Sequence, residues 1–451
     1  MGEKVYREWN PEQAWLLPPS PRDWVPEGHL VLFLLDAVRV LDISSITAHY
    51  ERELRGYPPY HPRMMLTLLI YCYATGTYSS RRIMRRCEED VTCRLIVGED
   101  VPDFRAISEF RRRHRAQFEV LFVEVLKLCA AAGLLQVGRL ALDGTKLKAN
   151  ASRHKAMSYD RMQTEVPRLQ QEIAELLAQA EESDQTEDRD HGGQQRGDEL
   201  HAELRRRETR LAKILEAKAA LEAEARAAAV AENAERVAEG RAPKYADPQA
   251  VLPDPKAQRN FTDPESKIMP TSNKGWDQCG NAQVIVTESQ VIVAAAVTNQ
   301  AYDMHQVVPL VAATKANLQA AEITAVPQEL LADAGYFSAD NVAAVEAEQI
   351  EPFIATQRLK HLEEIPVAPQ GRIPSHLTPK QRMARKLRTK RGRKTYKHRK
   401  AMVEPVFGQI KQARGFRQFL TRGLEKMQAE WQLICLTHNL LKVWRTGWIS
   451  S

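Results

Sequence analysis

Asp143, Asp333 and Glu404 are the residues of this chain best placed to do chemistry. They occur in LALDGTKLKANAS, ELLADAGYFSADN and YKHRKAMVEPVFGQIK respectively. The first two close short apolar runs of strand character. The third heads an amphipathic helix directly after a dense basic run. Carboxylates converging from three separate segments can hold two divalent cations. Mg2+ takes oxygen ligands in near-octahedral geometry and keeps water and substrate phosphate in its shell. Mn2+ can stand in for it. With two ions bound, one activates an attacking hydroxyl and the other stabilises the departing oxygen of a phosphodiester. In that arrangement Asp143 bridges both ions, and Asp333 and Glu404 complete one each.

Each residue also has a plainer reading. Asp143-Gly144 and Asp333-Ala334-Gly335 are turn formers. Glu404 can pair with Lys400 one helical turn earlier. Their joint occurrence, with cations gathered before Glu404, favours a site. Asp277, Asp303 and Asp340 are set aside: Asp277 precedes a hairpin, and the other two sit near helix starts where capping accounts for them.

Arg388, Lys390, Arg391, Arg393 and Lys394 stand at the centre of the basic run, in a segment expected to be a loop over 358–400. Almost no acid offsets them, so the segment repels itself until it meets a polyanion. Neutralising several phosphates releases counterions, and binding should weaken steeply with salt. Lys411 follows Glu404 by seven residues, nearly two helical turns, which predicts a shared face. Arginine groups at 81–86 and 111–115 could touch DNA, or could be solvated faces balanced by Glu88, Glu89, Asp90 and Glu109.

The elements that must position these residues follow from periodicity. Helices are expected from Leu30, from Pro62 to about Gly76, from Ser80 to about Cys87 and from Ser108 onward. Arg139–Asp143 reads as a strand. Residues 157–240 hold two long Ala/Glu/Leu-rich stretches around a Gly pair, an antiparallel helical hairpin. Strands return at 282–287 and 291–297 around Glu288-Ser289-Gln290, then at 329–333 and 352–355, with helices between. The resulting order is strand, helical insertion, hairpin, helix, strand, helix, strand, basic loop, helix. It predicts an α/β fold of the RNase H-like kind: a mixed five-stranded sheet with flanking helices, an N-terminal all-α domain and an inserted helical hairpin. The expected domains are 1–135 (helical, DNA-binding or dimerising), 136–156 and 261–451 (catalytic), and 157–260 (insertion).

Composition excludes several classes. Lys plus Arg total 64 against 58 acids, a net charge of only +6, so the distribution of bases says more than their number. The six cysteines form no Cys-x-x-Cys pair, which argues against zinc and for reduced, buried thiols in a cytoplasmic protein. The apolar run Leu30–Leu35 is far too short to span a bilayer, and MGEKVYREWNPEQ has no signal core.

LALDGTKLKANAS, the ADAGYFS run and Tyr396-x-x-Arg399…Glu404…Lys411 resemble the three signature blocks of insertion-sequence DDE transposases with a Tyr-Arg-Glu-Lys motif. PRMMLTLLIYCYATGTYSSRRI, ISEFRRRH and NAQVIVTES extend the resemblance over nearly the whole chain, the helical insertion least. It implies Asp143, Asp333 and Glu404 as metal ligands, with Tyr396, Arg399 and Lys411 against transposon-end phosphates. Four residues separate Arg399 from Glu404 where the motif has three, so Lys400 competes with Arg399 for that place.

The expected function is therefore a transposase. It would bind terminal inverted repeats of double-stranded DNA as a homodimer, cut by metal-activated water and transfer the freed 3′-hydroxyl to target DNA. It would work at the bacterial nucleoid, away from membranes. A metal-dependent nuclease without strand transfer and a domesticated DNA-binding protein are the alternatives.

Overall fold

The structure, a computed structural model, describes residues 20–51, 58–190, 198–271, 275–357, 368–374 and 376–448, without the side chains of 179–190 and 198–202. Residues 1–19 of the expected N-terminal domain lie outside this set, as do 358–367 of the expected basic loop. The chain divides into two compact units, Met1–Ala132 with Leu436–Ser451, and Gly133–Cys435.

The first unit is helical. Its helices are α1 (Leu30–Val40), α2 (Ser44–Glu51), α3 (Pro62–Ala74), α4 (Ser80–Glu89), α5 (Val91–Val97), α6 (Phe104–Arg113) and α7 (Gln117–Ala131). Helix α1 buries Leu30, Val31, Leu34, Ala37 and Val38, the spacing of one amphipathic face. Helix α3 begins with Pro62 in its first turn, where a missing N–H costs little, and buries every residue from Met65 to Ala74. It is the core helix of the unit. The single helix expected from Ser108 is two, α6 and α7. They break at buried His114, whose Nε2 lies 3.0 Å from Tyr50 Oη. Burial, with His49 nearby, pushes the His114 pKa down to about 4. Helices α2 and α5 were not expected. All six cysteines are buried and unbridged.

The second unit is built on a sheet. In chain order come β1 (Arg139–Lys148), β2 (Ala156–Ser158), α8 (Tyr159–Asp190), α9 (Asp198–Ala238), β3 (Gln258–Asn260), β4 (Lys267–Pro270), β5 (Trp276–Thr287), β6 (Ile292–Thr298), α10 (Val307–Ala320), β7 (Glu329–Ala332), α11 (Ala339–Ala347), β8 (Glu351–Ile354), α12 (Pro379–Arg388), α13 (Lys390–Gly408) and α14 (Leu424–Arg445), whose residues from Leu436 on belong to the first unit. Strand β1 is central. It runs antiparallel to β5 and parallel to β7, which is parallel to β8. Strands β4 and β6 pair with successive stretches of β5, so the sheet has six strands where five were expected. The α8–α9 hairpin is inserted between β1 and β4, close to the expected position. It packs on Met157, Tyr159, Met162, Val166, Ile214 and Leu221.

The basic segment is helical where a loop was expected. Helix α12 is started by a capping box between Thr378 and Gln381. Thr389 then ends α12 and caps α13: its hydroxyl donates to Lys386 O over 2.7 Å and accepts from Gly392 N over 2.9 Å. Gly392 is required at this corner, because a β-carbon there would lie 2.0 Å from Lys386 O. Arg391 pairs with Glu351 and Glu329, and Lys386 with Glu351 at 3.0 Å. Cations that would repel one another in a free loop are thus matched to acids at the start of β7 and β8, and the segment folds.

Pro405 lies deep inside α13. It cannot donate to the carbonyl of Ala401. That carbonyl instead accepts from Gln290 Nε2 at 3.0 Å. Gln290 sits in the β5–β6 turn with φ 62°, so the turn presents its amide to the helix.

Candidate active site

Asp143 and Asp333 are brought together by strand register. Strands β1 and β7 are parallel, and their last registered pair is Leu142–Ala332. Asp143 and Asp333 are the next step along both strands. Asp143 lies in mid-strand rather than at a strand end, since β1 continues to Lys148. Gly144 follows it because the amide of buried Gln283 fills the space a side chain would need: a β-carbon at Gly144 would stand 2.2 Å from Gln283 Nε2. Asp333 accepts from Gly335 N at 2.8 Å, so the turn-forming reading is satisfied as well.

Asp143 is mostly buried. Its Oδ1 accepts from Gly144 N and its Oδ2 from Arg399 Nη1, both at 2.8 Å. Burial pushes its pKa up against the pull of Arg399, and the nearby Asp333 charge adds to the rise. For Arg399 burial works in the opposite sense, but Tyr396, Asp143 and Asp333 outweigh it and hold the cation. The Tyr396 ring lies under the Arg399 guanidinium at 5.9 Å, and burial raises its phenol pKa. The arginine, rather than Lys400, is the basic residue on the acidic pair. Lys400 is exposed.

Lys411 donates to Thr145 Oγ1 at 3.0 Å. Thr145 is two residues after Asp143 and therefore on the same face of β1. Burial lowers the Lys411 pKa, helped by Arg417. Helix α13 ends in a π-turn, Gln409–Ala413, where Arg414 N donates to Gln409 O at 2.9 Å. Its extra residue puts Lys411 out of phase with Glu404. Glu404 lies four and seven residues after Lys400 and Lys397 and is exposed with them. It has no hydrogen bond or ion pair with a described residue. The expected shared face of Glu404 and Lys411 is therefore absent, and Glu404 is not drawn to the aspartates. Among the described residues no group of three acidic, histidine or cysteine side chains stands close enough to share a cation. Asp143 and Asp333 offer hard oxygen donors of the kind a divalent ion takes, but as a pair.

The remaining basic positions separate by partner. Lys390, Lys394, Lys397 and Lys400 are exposed along one face of α13. Arg391 is engaged by Glu329 and Glu351. Arg388 donates to Ala384 O at 3.3 Å and is exposed, and Arg393 is half-buried. In the helical unit Arg82 and Arg85 are exposed and unpaired among described residues. Arg86 pairs with Asp90 at 2.5 Å, and Arg111 donates to Tyr73 Oη at 2.8 Å.

Asp303 was set aside as a helix cap, and it makes no cap bond. Its Oδ1 instead accepts from Lys146 Nζ at 3.1 Å, Asn281 Nδ2 at 2.6 Å and Gln283 Nε2 at 2.8 Å. Tyr336 Oη donates to Gln283 Oε1, and burial with Asp303, Asp143 and Asp333 raises its pKa far above the usual range. Asp303 Oδ2 and Asp333 Oδ1 lie within 3.4 Å of the point a Gly335 β-carbon would occupy. A buried polar network thus stands behind the acidic pair. Two polar residues at alternate positions just before the apolar run Val284–Val286, Asn281 and Gln283, were its signal in the sequence.

No helix among the described residues is long and apolar enough to cross a membrane. The chain matched no curated protein and no solved structure. Two family models do match it: a transposase domain (DUF772) over residues 19–113, and a transposase DDE domain over residues 371–444. The first covers most of the helical unit. The second covers α12, α13 and nearly all of α14, with Tyr396, Arg399, Glu404 and Lys411 inside it. Each model covers less than half of the chain, and together the two matches support an insertion-sequence DDE transposase.

Proposed function

We propose that the protein cuts the ends of its element and joins them to target DNA at one metal-dependent site built on Asp143, Asp333 and Glu404. The observation that carries this is the placement of Asp143 beside Asp333 on adjacent parallel strands, under a helix whose outer face carries a row of lysines. We read the sheet as an RNase H-like core, with β6, β5, β1, β7 and β8 in the order of that fold and β4 as an addition.

Asp143 and Asp333 would hold Mg2+, and Glu404 would complete the set. When bound, a pair of such ions activates the attacking hydroxyl and steadies the leaving oxygen. The chain's own side chains do the rest. Lys411, held by Thr145 on the face of Asp143, meets a phosphate of the end being cut. Tyr396 and Arg399 flank the same phosphates. Lys390, Lys394, Lys397 and Lys400 neutralise the backbone leading to the site. The exposed Arg82 and Arg85 give the helical unit a contact for the terminal repeats. Two ends must be held at once, which calls for two copies on DNA.

Pre-cut element ends incubated with a target plasmid and Mg2+ test this. Joined products that vanish with Asp143→Asn support strand transfer. Asp143-dependent nicking without joined product would leave a nuclease instead.

A further inference from the structure

Helix α13 holds Glu404 one residue out of register with the acidic pair. Its inner face carries Arg399, Met402, Val403 and Val406, of which Val403 and Val406 are fully buried. Glu404 follows Val403, so it is turned about 100° away, onto the lysine face. The π-turn lies downstream, at Gln409–Ala413. Such a turn accommodates one extra residue, and every residue beyond it takes the angular place its predecessor would have held. Were the extra residue upstream of Glu404, Glu404 would occupy the place of Val403, facing the sheet. Glu404 and Lys411 would then share a face, as their seven-residue spacing demands.

One further observation points the same way. Polar atoms on both sides of the moving segment are buried without a partner: Arg399 Nε before it and Gln409 Oε1 after it. Native structures leave few such atoms unpaired. Meanwhile Arg399 Nη1 occupies Asp143 Oδ2, where a cation ligand would bind.

We propose that this is a resting register, and that the site is assembled when the π-turn's extra residue passes from behind Glu404 to before it. Arg399 guards Asp143 until then and is released to a DNA phosphate. Metal loading is thereby tied to DNA arrival. The inference rests on the metal-site reading above and concerns how that site is switched.

Deleting Val403 from the full chain removes the extra residue and fixes Glu404 inward. Calorimetric titration with MnCl2, without DNA, should then show affinity tighter by at least about tenfold, the scale on which one added carboxylate tunes a divalent site. Glu404→Gln in the deletion background should abolish the gain. Unchanged affinity, or a gain that survives Glu404→Gln, overturns the register shift. Arg399→Gln leaves the backbone intact and serves if the deletion fails to fold. It should tighten Mn2+ binding severalfold by freeing Asp143, and no change overturns the guarding role. If Asp143→Asn leaves Mn2+ binding unaltered in both backgrounds, the metal-site reading itself fails.

Discussion

Gln283 donates to Asp303 Oδ1 at 2.8 Å while its amide lies over the backbone of Gly144, next to Asp143. The strand neighbouring the acidic pair is thus pinned by polar side chains as well as by the burial of Ala282, Val284, Ile285 and Val286. A methyl group on Gly144 would collide with that amide. Gly144→Ala should destabilise the second unit by about 1–3 kcal/mol, the usual cost of overpacking. Gln283→Ala alone should also destabilise. The double variant should recover part of the Gly144→Ala loss, because the collision is gone. Urea titration of the four proteins gives the cycle, and additive effects would show that the two sites do not touch.

Asp143 has its pKa raised in the fold, chiefly by burial. A carboxyl so shifted favours folding when protonated, and that contribution is lost as pH rises through the folded pKa. In metal-free buffer at neutral pH, Asp143→Asn should therefore melt at or above the wild-type temperature. The difference should shrink as pH falls from neutral through the raised pKa toward 3.8, the ordinary value, and level off below it. Scanning calorimetry over that range checks the sign. A variant that is inactive but no less stable is the expected signature of a site that stores charge for a ligand.

The lysine row and Arg391 should behave differently although they are neighbours. Replacing Lys390, Lys394 and Lys397 by alanine removes three exposed charges that form no ion pair with a described residue. The slope of log binding constant against log salt should fall by about 0.9 for each DNA phosphate left without its lysine. Arg391→Ala breaks a surface pairing with Glu329 and Glu351 and should cost about 0.5–1 kcal/mol of stability. Its effect on the salt slope should be smaller than that of any one lysine. DNA binding measured over a range of KCl separates the two groups.

Gln290 replaces the N–H that Pro405 lacks, at the carbonyl of Ala401. Gln290→Ala should destabilise by about 1 kcal/mol, the net worth of such a bond. In a Pro405→Ala background the helix can satisfy Ala401 itself, and the same change should cost little. Chemical denaturation of the four combinations measures the coupling.

Much of this architecture was legible in the sequence because it follows short-range rules. Pro62 opens α3, Ser338 caps α11 by accepting from Asn341 N, and apolar runs mark β1, β5, β7 and β8. The adjacency of Asp143 and Asp333 followed from topology. What failed depended on partners far away in the chain. Lys386 and Arg391 read as loop cations until Glu329 and Glu351 are seen opposite them. Asp303 read as a cap because its three donors come from two other strands. The phase of Glu404 depends on where one extra residue sits in a helix, and a periodicity of 3.6 carries no sign of that.

The insertion of α8 and α9 after β1 has a consequence in time. Arg139 and Glu329, which pair across β1 and β7, are 190 residues apart. At about 5–20 residues per second, the ribosome delivers β7 roughly 10–40 s after β1. During that interval the strand bearing Asp143 has no neighbour to bring a second carboxylate. Synthesis therefore delivers the two aspartates of the proposed site well apart in time, and the pair is completed late.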